Sequence, residues 1–161
     1  VDVTSETGQG TTFTVSFPSV TADTARLPEV ASEARRLTGT ETVLLVEDED
    51  RVRGIARLAL EARGYTVLEA SSGDDGLALA RQHPFDLLVT DVVMPGMSGP
   101  ELVTRLRAER ASLKVILMSG YTDDTLARYH VVEQETPLLQ KPFTPRTLAK
   151  KVRDVLDRVT V

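Results

Sequence analysis

The sequence predicts an α/β fold: a five-stranded parallel sheet in (βα)5 order with helices on both faces, preceded by a short β segment and a linker. Three observations lead there. From Thr42 onward, strand-like and helix-like stretches alternate five times, the pattern of a parallel sheet with crossover helices. The first strand-like stretch, Thr42-Val43-Leu44-Leu45-Val46, is apolar after its first residue, as a strand covered on both faces must be. Helix stop and start signals fall between the strands: Gly64 is placed as a left-handed cap, and Pro100 and Pro145 follow Ser98 and Thr144 in first turns.

Taken in order, a helix is expected from about Asp50, with Val52, Ile55, Ala59 and Ala62 along one apolar face, ending at Gly64. Tyr65 to Glu69 reads as the second strand and Asp74 to Arg81 as a short helix ended by His83-Pro84. Phe85 to Thr90 is the third strand, and a helix starts at Ser98-Gly99-Pro100-Glu101. Lys114 to Met118 is the fourth strand, Thr122 to about Glu133 a helix, and Leu138-Leu139-Gln140 a short fifth strand. The last helix opens at Thr144-Pro145, with Leu148, Val152, Val155, Leu156 and Val159 facing inward. Upstream, Val1 to Thr4 and Thr11 to Phe17 are β-like around Gly8-Gln9-Gly10, which suits a hairpin. Residues 18–40, rich in Pro, Thr, Ser, Ala and Glu, read as a linker, with Glu29 to Leu37 transiently helical.

Length and composition narrow the function. The 161 residues suffice for one domain with chain to spare, and the start at Val1 rather than Met suggests a piece of a longer protein. Nineteen basic against 24 acidic residues, a net charge of −5, exclude a generic basic nucleic-acid binder. The absence of cysteine excludes disulfides, a thiol nucleophile and cysteine metal sites, and suits a reducing cytoplasm. No apolar run approaches the ~18 residues of a membrane span, so no membrane contact is expected of this chain.

Functional groups in such sheets gather at the carboxyl ends of the strands. Strand one ends in Glu47-Asp48, strand three in Asp91, strand four in Ser119-Gly120 and strand five in Lys141-Pro142. If those strands are neighbours, three carboxylates, a hydroxyl and an ammonium share one rim. Carboxylates that close require a counterion, and Mg²⁺ suits an all-oxygen set. One carboxylate is then free to act as a nucleophile towards phosphorus, with Lys141 and Ser119 holding phosphoryl oxygens. The loop Met94-Pro95-Gly96-Met97-Ser98-Gly99 leaves room for a donor to approach Asp91.

Leu45-Val46-Glu47-Asp48, Thr90-Asp91-Val92-Val93-Met94-Pro95, Met118-Ser119-Gly120 and Gln140-Lys141-Pro142-Phe143 resemble, in that order, the motifs of the response-regulator receiver domain, over about residues 41–159. The resemblance implies a flavodoxin-like sheet, with Asp91 as the phospho-acceptor. It implies Glu47, Asp48 and Asp91 with the Val93 carbonyl as the Mg²⁺ site, and a cis Lys141-Pro142 bond. It also implies Ser119 as the switch hydroxyl and Lys141 as the phosphoryl-stabilising lysine. The family's switch aromatic falls at Leu138, a departure that argues against aromatic-rotamer switching.

Ser5-Glu6-Thr7-Gly8-Gln9-Gly10-Thr11-Thr12-Phe13-Thr14-Val15 resembles the last glycine box and strand of a histidine-kinase ATPase domain. Together the two resemblances imply the C-terminal part of a hybrid sensor histidine kinase: residues 1–17 a kinase remnant, 18–40 a linker, 41–161 the receiver. They imply a histidine-kinase core and a histidine phosphotransfer protein as partners. No cofactor beyond Mg²⁺ and no DNA-binding output are expected, and His83 and His130 lie in no matching motif. An aspartate-nucleophile hydrolase would need an acid two residues after Asp91, where Val93 stands. A flavin or nucleotide site would need a phosphate-friendly loop where Glu47-Asp48-Glu49-Asp50 would repel phosphate. A pure interaction module would not need both Asp91 and Lys141.

Overall fold

The computed structural model describes residues 2–6, 8, 10–16, 37–120 and 136–158. The chain divides into two compact units, Val1–Ser32 and Glu33–Val161.

In the first unit, β1 (Asp2–Glu6) and β2 (Gly10–Thr14) pair antiparallel, with Val3 opposite Phe13 and Ser5 opposite Thr11. The hydroxyls of the second pair lie 2.9 Å apart. Gly8 and Gly10 take φ of +84° and +94°, the left-handed region that glycine enters without strain. The expected hairpin is present, and every residue of both strands is exposed.

The second unit is built on β3 (Thr42–Val46), β4 (Thr66–Ala70), β5 (Leu87–Asp91), β6 (Lys114–Ser119) and β7 (Leu138–Gln140). All pairs are parallel and the order across the sheet is β4-β3-β5-β6-β7. That is the flavodoxin-like doubly wound order, in which the chain steps first to one side of β3 and then to the other. Among the described residues the helices are α1 (Asp50–Glu61), α2 (Gly73–Gln82), α3 (Gly99–Glu109) and α4 (Pro145–Leu156). Ser72, Ser98 and Thr144 cap the last three, each side chain accepting from the backbone N–H three residues on.

The sheet separates two cores. Leu44, Leu88, Val115 and Leu117 pack with Leu77 of α2 and Leu102 and Leu106 of α3. Leu45, Val89, Ile116 and Met118 pack with Ala56 and Leu60 of α1 and Leu148 and Val152 of α4. Strand residues alternate between these cores, which is why the strands are apolar throughout rather than every second residue.

Among the described residues the expected elements are present, with ends moved by one to three residues: the second β-like stretch ends at Thr14 rather than Phe17, and the first helix at Glu61 rather than Gly64. The helix expected from Thr122 to Glu133 lies outside the described residues, as do Phe17, Val159 and all of residues 18–36. The apolar face expected on α1 is corrected. Its buried residues are Ala56, Ala59 and Leu60, whereas Ile55 is 56% exposed and Ala62 is exposed too. Leu60 is fully buried with Leu45 and Leu148, so the stripe it shares with Ala56 and Ala59 faces the core and Ile55, at the edge of that stripe, faces outward. Among the described residues no helix is long and apolar enough to cross a membrane.

Candidate phospho-acceptor site

The sheet order brings the expected rim together. In register Val46 lies beside Thr90, so Glu47 follows β3 where Asp91 ends β5. Ser119 ends β6 beside Gln140, and Lys141 follows. This is the switch point of the sheet, where successive connections leave in opposite directions and open a cleft. Glu47, Asp48, Asp91, Val93, Gly120 and Lys141 line it.

Lys141 lies two strands away from β5, yet its ammonium reaches across β6. Its Nζ donates to Glu47 Oε2 at 2.7 Å and to Asp91 Oδ2 at 2.8 Å. The Lys141 backbone is held in turn, its N–H donating to the Ser119 carbonyl at 2.7 Å, and the Lys141-Pro142 bond is cis as expected. Glu47 is fully buried, and its backbone N–H donates to the Ala70 carbonyl at 3.1 Å. Burial pushes the Glu47 carboxyl above the usual range; the Lys141 hydrogen bond opposes the rise and the Asp91 charge adds to it. Burial alone would lower the Lys141 ammonium, but its hydrogen bonds to Asp91 and Glu47 outweigh that and hold it above an ordinary lysine.

Ligand oxygens of Glu47, Asp48 and Asp91 lie within 4.8 Å of one another, the one such cluster found among the described residues. Asp48 is exposed, and no hydrogen bond or ion pair engages its carboxylate among the described residues. Asp91 is held from behind. Its carbonyl packs so tightly on α3 that a Cβ at Gly99 would stand 1.9 Å from it, so only glycine fits there. Ser119 is 1% exposed, and Leu138 is half-buried against the core on the α2 and α3 side.

Residues 43–153 match the family model for the response regulator receiver domain. The chain belongs to that family. Among similar proteins, the sensor kinase CckA of Brucella abortus (strain 2308) is 40% identical over 163 residues, covering 96% of this chain and 17% of the kinase. The transcriptional regulatory protein AfsQ1 of Streptomyces coelicolor is 36% identical over 117 residues, covering 73% of this chain and 52% of that protein. The chain thus spans a minor part of the kinase and about half of the regulator. Two solved structures overlay well. The receiver domain of the hybrid histidine kinase CckA is 39% identical with a TM-score of 0.62, covering 72% of this chain and 99% of that one. The chemotaxis protein CheY4 of Vibrio cholerae is 30% identical with a TM-score of 0.67, covering 73% and 99%. The chain is therefore a phosphorelay receiver homologous to that of a hybrid sensor kinase.

Receivers generally use Mg²⁺, and the donor set fits it. The cluster offers carboxylate oxygens alone, with no nitrogen or sulfur ligand, which is the chemistry of a hard cation. One contact at the receiver site escaped the sequence reading. Arg53 of α1 donates from Nη1 to the Glu47 carbonyl at 2.7 Å. Its only sequence signal is its place one turn after Glu49 on a helix that begins at the acidic loop, and that does not say which way a guanidinium turns.

Proposed function

We propose that this receiver accepts a phosphoryl group from a phosphohistidine onto the Asp91 carboxylate in a Mg²⁺-dependent reaction. Glu47, Asp48, Asp91 and the Val93 carbonyl would hold the cation. The observation that carries the reading is the Lys141 ammonium bonded to both Glu47 and Asp91, beside an exposed Asp48 whose carboxylate no bond engages among the described residues. A bound Mg²⁺ supplies positive charge against the oxygens of the transferring group. An Asp91 oxygen forms the new O–P bond as the N–P bond of the phosphohistidine breaks, and the imidazole leaves with that electron pair. Lys141 is within reach of the same place and takes a phosphoryl oxygen as Asp91 gives up its charge. Ser119 serves as the switch hydroxyl, and Leu138 occupies the coupled position without a ring to swing.

The donor we assign is a histidine-kinase core, in the parent chain or separate, and the onward acceptor a histidine phosphotransfer protein, both in the cytoplasm. A hollow beside the site, lined by Val52, Ile55, Pro142 and Phe143, gives such a partner an apolar surface to rest on. We assign residues 1–17 to the end of a kinase ATPase domain, 18–40 to a linker and 41–161 to the receiver, in a parent protein-histidine kinase. The alignment with CckA over 96% of this chain, well beyond residues 43–153, supports that assignment. Incubation with acetyl phosphate and Mg²⁺ tests the reaction by intact mass. One hydroxylamine-labile phosphoryl adduct is expected, and none in excess chelator. A chain that stays unmodified with metal present, or is modified equally without it, contradicts the proposal.

A further inference from the structure

We infer that Arg53 is a positioning residue for the cation site, aiming the Asp48 carboxylate by holding the peptide that joins Glu47 to Asp48; the inference rests on the phospho-acceptor reading above. The geometry is specific. The Glu47 carbonyl belongs to that peptide, and its orientation sets the direction in which the Asp48 side chain leaves the backbone. The peptide group before Glu47 is anchored by the sheet through the bond to Ala70. The one after it leaves the sheet, and Arg53 Nη1 holds it at 2.7 Å. The guanidinium is itself fixed on other sides. It pairs with Asp50 in the first turn of α1, and its Nε lies 3.7 Å from Glu69 Oε1 on β4. Its side chain is 17% exposed. Arg53 thus joins helix, loop and neighbouring strand, and it spends no bond on the carboxylates of Glu47, Asp48 or Asp91. A forked, planar donor is suited to this, because it serves acceptors in different directions without rotating.

Positioning and plain charge predict opposite results. Removing a positive charge beside an acidic loop should tighten cation binding. Removing the group that orients a ligand should weaken it, by about tenfold for partners of this kind. The experiment is a calorimetric titration of the folded chain with Mg²⁺, in the parent, R53M, R57Q and D48N, with melting curves to show that each is folded. Arg57 shares Glu69 with Arg53, at 3.1 Å, but no bond links it to the Glu47 carbonyl. The expected result is Mg²⁺ affinity about tenfold lower in R53M and unchanged in R57Q, with the Asp48 amide resonance shifted in metal-free R53M. Equal or tighter binding by R53M overturns the inference, as does an equal loss in R57Q. Should R53M not fold, R53K decides instead, because it keeps the positive charge and removes the forked donor: weaker Mg²⁺ binding supports the inference and unchanged binding overturns it. A parent whose Mg²⁺ binding is insensitive to D48N refutes the underlying site and the inference with it, whereas failure of R53M alone leaves the site standing.

Discussion

The two ends of β3 carry one glutamate each, and their surroundings drive them in opposite directions. At the amino end, Glu41 Oε1 accepts from Arg153 Nη2 of α4 at 2.7 Å, and that bond holds its carboxyl below the usual range against the opposing effect of burial. The same guanidinium reaches Asp157 at 2.9 Å and the Tyr65 hydroxyl at 3.4 Å, and it is held well above an ordinary arginine. At the carboxyl end, Glu47 is buried and held above the usual range. Lys141 is shared there between two carboxylates while Asp48 has none of it. The amino end pairs its charges and ties α4 to the sheet. The carboxyl end leaves a surplus of negative charge for something else to complete. One strand thus separates an edge whose charges are paired from one with a surplus of carboxylates, at the end of the sheet where sites in such folds gather.

Lys141→Met sharpens this contrast most. It strands the buried Glu47 carboxylate beside Asp91, and at neutral pH the metal-free chain should lose about 3 kcal/mol in urea unfolding. The pH dependence follows from the sign. Glu47 binds its proton more tightly folded than unfolded, so stability falls as pH rises from the ordinary carboxylate range through its raised folded value. The cost of Lys141→Met should therefore shrink towards acid, where Glu47 carries a proton. A cost that is constant with pH would show that Glu47 is not the group strained by the loss.

Arg153→Met should cost less, about 1–2 kcal/mol, because its partners retain some access to water. Here the sign is reversed. Glu41 has a depressed folded value, so its contribution is complete above the ordinary carboxylate range and is lost as pH falls through that folded value. Parent and Arg153→Met unfolding curves should converge below that point. Equal separation at all pH values would break the contrast between the two ends.

The hairpin supplies the smallest effect. Phe13 is 68% exposed, so Phe13→Ala should leave the thermal unfolding of the five-stranded unit within about 0.5 kcal/mol of the parent. A larger loss would mean that the hairpin contributes to that unit's stability.

Much of the five-stranded unit could be read from the sequence because its signals are local. Val43 to Val46 is apolar without interruption, and Pro100, Pro145 and Gly64 mark helix ends through their own backbone restrictions. The rim could be read because each member directly ends or follows a strand, so knowing the strands places Glu47, Asp91, Ser119 and Lys141 together. What escaped depends on distance along the chain or on the rotation of a helix. Glu41 and Arg153 are 112 residues apart, and nothing near either one announces the other. The inward face of α1 is not legible at Ile55, because Val52, Ile55 and Ala59 have helical spacing just as Ala56, Ala59 and Leu60 do. Which set faces inward is decided by the burial of Leu60 between the sheet and α4. The contacts of Arg53 are hidden for a related reason, since its guanidinium also lies near the Glu69 side chain of the adjoining strand, which the sequence does not place.

The central claim is that Asp91 is the residue at which this edge of the sheet does its chemistry. The most direct measurement is borohydride reduction of the acetyl-phosphate-treated chain followed by peptide sequencing, which converts a phosphorylated aspartate to homoserine. The account predicts homoserine at position 91, and none there after Asp91→Asn. Homoserine at Asp48 or any other aspartate, with Asp91 unconverted, would contradict it.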